Sequence, residues 1–429
     1  MIEEISFKNV LSFKDEVTFS FEATDDSTFE SSHVVMMPNG TRLLRLGVVY
    51  GANASGKSNL LYAIDWLREF MLHEPQNIDS STGFEPFMLD KDTPELPSEY
   101  SMKFWIDGVR YWYQLHVTDK HVLFEKLSFY KTTQPIKIFE RKYEDGQLVL
   151  NFNPAVQKIG QEELKVVNIY CLPNKSLFAA RGNVNIKMEH VDIVREWVLD
   201  KFMQIIRPGT KLTGYGEDKI NEDADFKKYL LDFMHIADFN ITALENGYVE
   251  RKLTKQVQQK LLEENDMPPE LKEMIQTQGV IPKPVVFFEH TVENERGQER
   301  YELNMEQQSR GTKRVMGLEA AIYDVVKNNA FLCIDEIESS LHPDLLESIL
   351  QGFISIYGES QLLVTTHNSG LLDTIDDLIR KDNVWFVEKR KDGSTDLYSL
   401  VEFNGLNKIP RFERAYRSGR FGALPNIKD

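Results

Sequence analysis

At 429 residues the chain is too long for one simple core and has room for two or three structural units. Its 41% hydrophobic and 27% charged residues are ordinary for a globular protein, and a net charge of −17 argues against coating nucleic acid by bulk electrostatics, though a local basic patch stays open. Cys171 and Cys333, far apart and without metal-ligand spacing, speak against a disulfide framework and a zinc site, and no apolar run approaches about eighteen residues, so neither a signal peptide nor a membrane span is expected and the cytoplasm is the expected address.

Residues 1–22 alternate, with Ile2, Ile5, Phe7 and Val10, then Val17, Phe19 and Phe21, the pattern of two paired strands interrupted at 12–16. Residues 24–32 are polar and read as a loop. Leu44, Leu46, Val48, Val49 and Tyr50 then predict a buried strand. It runs into GANASGKS at residues 51–58 and an amphipathic helix in which Leu60, Ile64, Leu67 and Met71 recur every three or four residues. G-x-x-x-x-G-K-S between a strand and a helix is a phosphate-binding P-loop. Small residues let backbone N–H groups turn toward phosphate oxygens, and the helix points its positive end at them. A nucleoside triphosphate with Mg2+ is the expected ligand. Gly51, Asn53, Ser55, Gly56, Lys57, Ser58 and Asn59 would hold the nucleotide, Lys57 reaching the β/γ-phosphates and the Ser58 hydroxyl ligating Mg2+.

After a turn-rich loop at 74–83 come strand-like segments at 84–89, 100–106, 109–117, 122–130, 137–143 and 148–152, with hairpin turns at Asp107-Gly108 and Asp145-Gly146. From about residue 191 the texture changes to helical, with periodic segments at 191–206, 225–239 and 253–265 and loops at 208–216 and 268–269. Sustained heptads are absent, which argues against a long coiled coil. Strands return at 285–290 and 301–303. The expected organisation is a β-rich N-terminal lobe with the P-loop over 1–180, a mainly helical insertion over 181–283, and a C-terminal lobe over 284–429.

The last third carries further chemistry. Residues 330–335, AFLCID, are a buried strand ending in Asp335-Glu336, and two carboxylates at the end of an apolar strand need a reason. A magnesium nucleotide supplies one: Asp335 would hold Mg2+ beside Ser58 and Glu336 would polarise the attacking water; a strand leaving the core into solvent is the bland alternative. Residues 361–365, QLLVT, form another buried strand before Thr366-His367-Asn368. A neutral imidazole there could hydrogen-bond a γ-phosphate and sense its loss, where alone it would read as a turn histidine. SSLHP at 339–343 opens the next helix with Pro343 in its first turn, and His342 suits packing or subunit contact better than catalysis. QQSRGTKR at 307–314 precedes an apolar helix over 315–326. Ser309 and Gly311 there would make a second anion-binding helix start, and they also read as an ordinary cap. In the tail, Arg411, Arg414, Arg417 and Arg420 alternate with Phe412, Tyr416 and Phe421, a stripe suited to phosphate backbone, stacked bases or an acidic partner, or to packing on the body.

The strand pair, GANASGKSN, SRGTKR, LCIDEIESSLHP and TTHN, in that order, resemble the ABC-type ATPase heads of the SMC/RecF-like group over residues 1–130 and 300–375. The resemblance implies an α/β P-loop NTPase of ABC-ATPase head type, with a β-rich N-terminal lobe and a helical insertion. It further implies a signature at Ser309, Gly311 and Thr312, a Walker B ending in Asp335 and Glu336, a D-loop at 339–343 and a switch histidine at His367, with Lys57, Glu336 and His367 catalytic. Heads of this group bind two ATP between head-to-tail subunits, each site completed by the other's signature. The chain is more closely similar to bacterial AAA ATP-binding proteins of the abortive-infection type (RloA/AbiLi-like), whose C-terminal motif AYRSGRFGALPNI at 415–427 resembles. It departs from the group in having no LSGGQ and no placed Q-loop glutamine; residues 84–89 are where one should lie and Gln76 is the nearest candidate.

The expected function is therefore an ATP-hydrolysing switch that forms a homodimer or higher oligomer on ATP. It would control a separate nuclease or Toprim-like effector in anti-phage defence, with nucleic acid a further candidate partner and no membrane role. A RecF-like DNA-repair ATPase is the rival; a transporter subunit and a self-acting nuclease fit the residues less well.

Overall fold

A computed structural model describes residues 1–144, 146–237, 239–263 and 267–425. Asp145 of the second expected hairpin, residue 238 of the expected helix 225–239, residues 264–265 of the expected helix 253–265, and residues 426–427 of the C-terminal motif lie outside them. Among the described residues no helix is long and apolar enough to cross a membrane. The chain divides into two compact units, one of residues 1–210, 324–339 and 346–429, the other of 211–323 and 340–345.

Among the described residues the first unit holds two large sheets and a two-stranded one, Val34–Met36 with Arg42–Leu44. Seven strands are ordered Gln147–Phe152, Pro135–Glu144, Val122–Tyr130, Val109–Val117, Ser98–Ile106, Ile2–Lys8 and Val17–Ser20, each antiparallel to its neighbour. The Asp107-Gly108 hairpin closes as expected, both residues at positive φ. Five strands make the second sheet, ordered Phe331–Ile334, Gln361–Thr365, Leu46–Tyr50, Val384–Lys389 and Thr395–Ser399. The first four are parallel and the last antiparallel. Near-continuous apolar runs such as FLCI and QLLVT suit such strands, which are covered on both faces. The helix Lys57–Leu72 buries Leu60, Leu61, Ile64, Leu67 and Met71 in a core shared with Ile5, Phe7 and Phe19 of the large sheet and Val49 and Leu363 of the small one. The fold is thus an α/β P-loop architecture with a β-rich N-terminal lobe.

Two expectations fail in this unit for one reason: neighbouring segments take the backbone hydrogen bonds. Residues 84–89 form no strand, because Glu85 O accepts from Leu11 N and Phe87 N donates to Asn9 Oδ1 instead of entering a ladder. The helix expected over 191–206 spans Glu189–Asp200. Beyond it Lys201 O accepts from Phe331 N, and Met203 and Ile206 donate to Phe331 and Cys333, so this stretch lines the edge of the small sheet. Residues 181–210, expected in the insertion, therefore belong to the first unit, where Val191, Val194 and Val198 are buried.

Buried Arg45 fixes one corner of this unit without a carboxylate. Its guanidinium donates to the carbonyls of Ser32, Phe353, Ile354 and Ser360 and to Ser360 Oγ, tying the end of the helix Pro343–Ser355 to the strand before the P-loop. Burial pushes the Arg45 guanidinium down to about 10.

The second unit is mixed, where the sequence reads a mainly helical insertion up to residue 283 and strands at 285–290 and 301–303. The helices Thr213–Glu222 and Ala224–Ile236 accompany a three-stranded antiparallel sheet ordered Ala243–Lys252, Val280–Asn294 and Gly297–Asn304. The first of those strands escapes sequence reading because ALENGYVERK buries only Leu244 and so lacks a periodic apolar signal. Phe226, Leu230, Met234, Val286, Phe288 and Met316 form its core. Within it Glu319 of the helix Arg310–Asn328 is buried and accepts from Tyr229 Oη at 2.6 Å, and burial lifts its carboxyl to about 8.

Candidate functional site

Three parallel strands end at the same edge of the small sheet, and their C-terminal ends carry the loops of interest, the usual place for a ligand in an open α/β sheet. Leu46–Tyr50 runs into the P-loop, Phe331–Ile334 into Asp335 and Glu336, and Gln361–Thr365, which lies between them, into Thr366 and His367. Residues 277 to 310 positions apart in sequence are thereby brought within hydrogen-bonding distance.

The P-loop is shaped by two glycines. A Cβ on Gly51 would lie 2.4 Å from Ser55 Oγ and 2.6 Å from Val387 O. Gly56 sits at φ +116°, where a Cβ would meet Thr395 Oγ1 at 2.5 Å. Thr395 Oγ1 also donates to Ser55 O at 2.8 Å, so the antiparallel edge strand braces the loop from behind. Asn53 and Ala54 form the exposed crest, with Ala54 at φ 60°. Lys57 Nζ donates to Gly51 O at 2.8 Å and Ala52 O at 3.1 Å.

Around the lysine Ser58, Asp335, Glu336, Thr365 and His367 assemble. Ser58 Oγ donates to Asp335 Oδ1 at 3.2 Å, and Thr365 Oγ1 donates to the same oxygen at 2.7 Å. Thr365 Oγ1 also accepts from Glu336 N at 2.8 Å, holding Glu336 at φ 46°, a left-handed conformation costing an L-residue about 1 kcal/mol. His367 Nδ1 lies 3.4 Å from Lys57 Nζ and its Nε2 lies 3.8 Å from Glu336 Oε1. With Nδ1 accepting from the ammonium, the ring proton sits on Nε2 and faces the carboxylate.

These residues fit a magnesium nucleotide. The Ser55 hydroxyl is buried without a hydrogen-bond partner beneath a loop whose glycines leave no room for side chains. Ser58 and Asp335 form an oxygen pair of the sort that Mg2+ takes alongside phosphate oxygens. A cavity of about 400 Å3 opens beside Asn59, walled by Leu11, Ser12, Phe84, Phe87 and Lys389.

Burial pushes the Lys57 ammonium down to about 8 against the opposing pull of Asp335, Glu336 and Glu338. Only the charged form pairs well with phosphate, and phosphate binding raises the pKa again. Affinity for a nucleotide should accordingly be level below pH 8 and fall above it by up to about tenfold per pH unit. Calorimetry at pH 8.5 in buffers of different ionisation heat should show proton uptake on binding; equal heats would assign the lysine no titration.

Ser309, Gly311 and Thr312 belong to the second unit. Ser309 Oγ accepts from Thr312 N at 3.0 Å and lies 2.8 Å from Thr312 Oγ1, capping the helix Arg310–Asn328. A Cβ on Gly311 would press on Ser340 O at 3.3 Å. His342 is exposed, with Nδ1 3.5 Å from Asp344 Oδ2. Gln76 is exposed in the loop after the P-loop helix.

The tail differs from the stripe read in sequence. Its helix covers only Phe412–Arg417, and Phe412, Tyr416 and Phe421 are buried, with Tyr416 stacked on Phe386 at 5.6 Å. The aromatics are therefore core and not a platform for bases, while Arg411, Arg414, Arg417 and Arg420 stay exposed. Sequence reading also missed Thr365, Thr395 and Glu338. Glu338 alone had a local signal, its place two residues after Glu336; the threonines act through contacts 29 to 340 residues away.

A family model described as "AAA domain, putative AbiEii toxin, Type IV TA system" matches residues 46–161 and 192–373. Among solved structures, the SMC head domain from Thermotoga maritima is 15% identical at TM-score 0.41, covering 93% of this chain and 98% of that one. An SMC head bound to the C-terminal winged-helix domain of ScpA is 14% identical at TM-score 0.40, covering 95% and 99%. No curated protein matches the chain.

Proposed function

The chain belongs to this AbiEii-related family of AAA domains, and from that premise we propose that it is an ATP-hydrolysing switch whose two copies close on nucleotide to control a toxic effector. The observation that carries the reading is the convergence of Lys57, Ser58, Asp335, Glu336 and His367 at adjacent strand ends. Bound Mg2+-ATP supplies a γ-phosphoryl group that can pass to water, giving ADP and phosphate. Lys57 donates to phosphate oxygens, Ser58 and Asp335 hold the metal, and the backbone N–H groups from Gly51 to Asn59 cradle the phosphates. The cavity beside Asn59 takes the base. Glu336, aimed by Thr365, accepts the proton of the attacking water. His367, poised between Lys57 and Glu336, donates Nε2–H toward the reacting centre and loses a partner when the γ-phosphate leaves.

Ser309, Gly311 and Thr312 are the surface offered to the second copy's nucleotide, and the assembly is a homodimer or larger homo-oligomer. The family description, a toxin of a type IV toxin–antitoxin system, supports a place in abortive infection; the separate nuclease-type effector is part of the proposal. The rival, a DNA-binding repair ATPase, has the four exposed tail arginines in its favour. Ser309→Arg tests the sandwich, because a long cation in the cap would block a partner's phosphate without touching Lys57. Analytical ultracentrifugation with Mg2+-ATP should show wild-type dimers and monomeric Ser309→Arg that still binds nucleotide. Dimers of equal strength in the variant would remove Ser309 from the interface.

A further inference from the structure

Beyond the strand ends lies a chain of contacts that the hydrolysis chemistry does not use. His367 N donates to Glu338 Oε1 at 2.6 Å, so Glu338 holds the histidine by its backbone while the ring stays free to face Lys57 and Glu336. The other oxygen of Glu338 is buried without a hydrogen-bond partner, as are Asn368 Nδ2 in the same loop and Tyr50 Oη at the end of the P-loop strand. Buried polar atoms left unpaired cost free energy, and three of them around one loop mark an arrangement with an alternative pairing in reach.

The far side of that loop is clamped to the C-terminal helix. Ser369 Oγ donates to Glu413 Oε1 at 3.0 Å and accepts from Arg417 Nη2 at 3.1 Å. Asp373 accepts from Arg411 Nε at 3.0 Å and Nη2 at 2.7 Å, and from Glu413 N at 2.9 Å. On its inner face the helix places Tyr416 6.0 Å from the ring of Tyr50, one residue before the P-loop. Tyr416 Oη donates to Ala423 O at 3.0 Å and Tyr398 Oη to Phe421 O at 2.8 Å, so the tail behind the helix is pinned as well. The helix thus rests on the two segments that would answer to phosphate, 50–58 and 367–373.

We propose that Glu338 is the positioning residue of the switch: it latches the His367 loop, and that loop carries the C-terminal helix, so that nucleotide state is exported to the exposed face of Arg411, Arg414 and Arg417. This rests on the nucleotide reading above. A shift of His367 on gain or loss of a γ-phosphate pulls on Ser369 and Asp373, which are held by Glu413 and Arg417 of the helix and by Arg411 at its N-cap. Packed elements of this sort move between discrete arrangements and do not deform smoothly.

The test is hydrogen exchange on the full chain with Mg2+ and a slowly hydrolysed ATP analogue, with binding followed separately by a fluorescent ATP. In wild type the nucleotide should change exchange in residues 365–374 and 411–420 together. Glu338→Ala should bind the fluorescent nucleotide within about tenfold of wild type yet lose the change at 411–420. Glu338→Gln keeps an acceptor for His367 N–H and should keep the change. Asp373→Asn keeps an acceptor for Glu413 N–H but gives up the ion pair that takes both Arg411 nitrogens, and this cut at the other end of the clamp should lose the change with the fold intact. Nucleotide binding in wild type without any response at 411–420, or a full response in both Glu338→Ala and Asp373→Asn, overturns the proposal while leaving the nucleotide reading standing. Absence of binding in wild type removes both.

Discussion

Lys57→Ala is expected to weaken Mg2+-ATP binding by about a hundredfold or more while leaving the thermal transition near that of wild type. The ammonium is buried at 5% exposure and held by the carbonyls of Gly51 and Ala52, which supply dipoles but no negative charge. Much of its desolvation is already met in the folded chain, which is why burial takes it down to about 8. A phosphate oxygen then gains charge-assisted hydrogen bonds worth about 1.5–3 kcal/mol each, and two such bonds account for the hundredfold. Alanine removes them, and Ala52 O, next to the exposed crest, can turn to water. Titration with a fluorescent ATP analogue measures the loss, and a variant that binds as tightly as wild type would show that this loop holds no phosphate.

Glu336→Gln should slow hydrolysis by about 10²–10⁴-fold and leave binding intact. The amide keeps the shape of the carboxylate and its place beside His367 but cannot accept the water's proton. Its backbone depends on Thr365, whose hydroxyl holds Glu336 N at 2.8 Å, so the left-handed turn survives the substitution. With hydrolysis blocked, the ATP-bound dimer should accumulate, visible as a larger species by light scattering that disappears when nucleotide is removed. Phosphate release at the wild-type rate would assign the base to another group. Slowed release without accumulation would separate hydrolysis from assembly.

Much of the first unit was readable because its signals are local. The strand Val109–Val117 alternates buried and partly exposed residues along its length, and the helix Lys57–Leu72 repeats its apolar face every three or four residues. The strand ends at Asp335 and Thr365 were readable for the same reason: FLCI is an apolar run and QLLVT holds one in LLV, each giving way at once to polar residues. Residues 84–89 misled because they share the composition of a strand, while the choice between ladder and loop lay with Asn9 and Leu11. The helix from 191 was drawn too long because Phe202 and Ile205 continue its apolar period, although the edge of the Phe331–Ile334 strand claims their backbone. In the tail the sequence leaves the direction of the aromatics open and the fold packs them inward; a stripe of arginine and aromatic side chains looks the same whether the rings face outward or stack on Phe386.

Residue type, spacing and period over a few adjacent positions were enough to establish the P-loop, the paired carboxylates and the strand–helix framework that presents them. Folding in three dimensions was needed to show that Thr395 braces the P-loop, that Thr365 aims Glu336, and that Glu338 and the C-terminal helix share the His367 loop. Each of those contacts joins residues far apart in the chain, and a hydrogen bond between distant segments leaves no trace in the local pattern of either one.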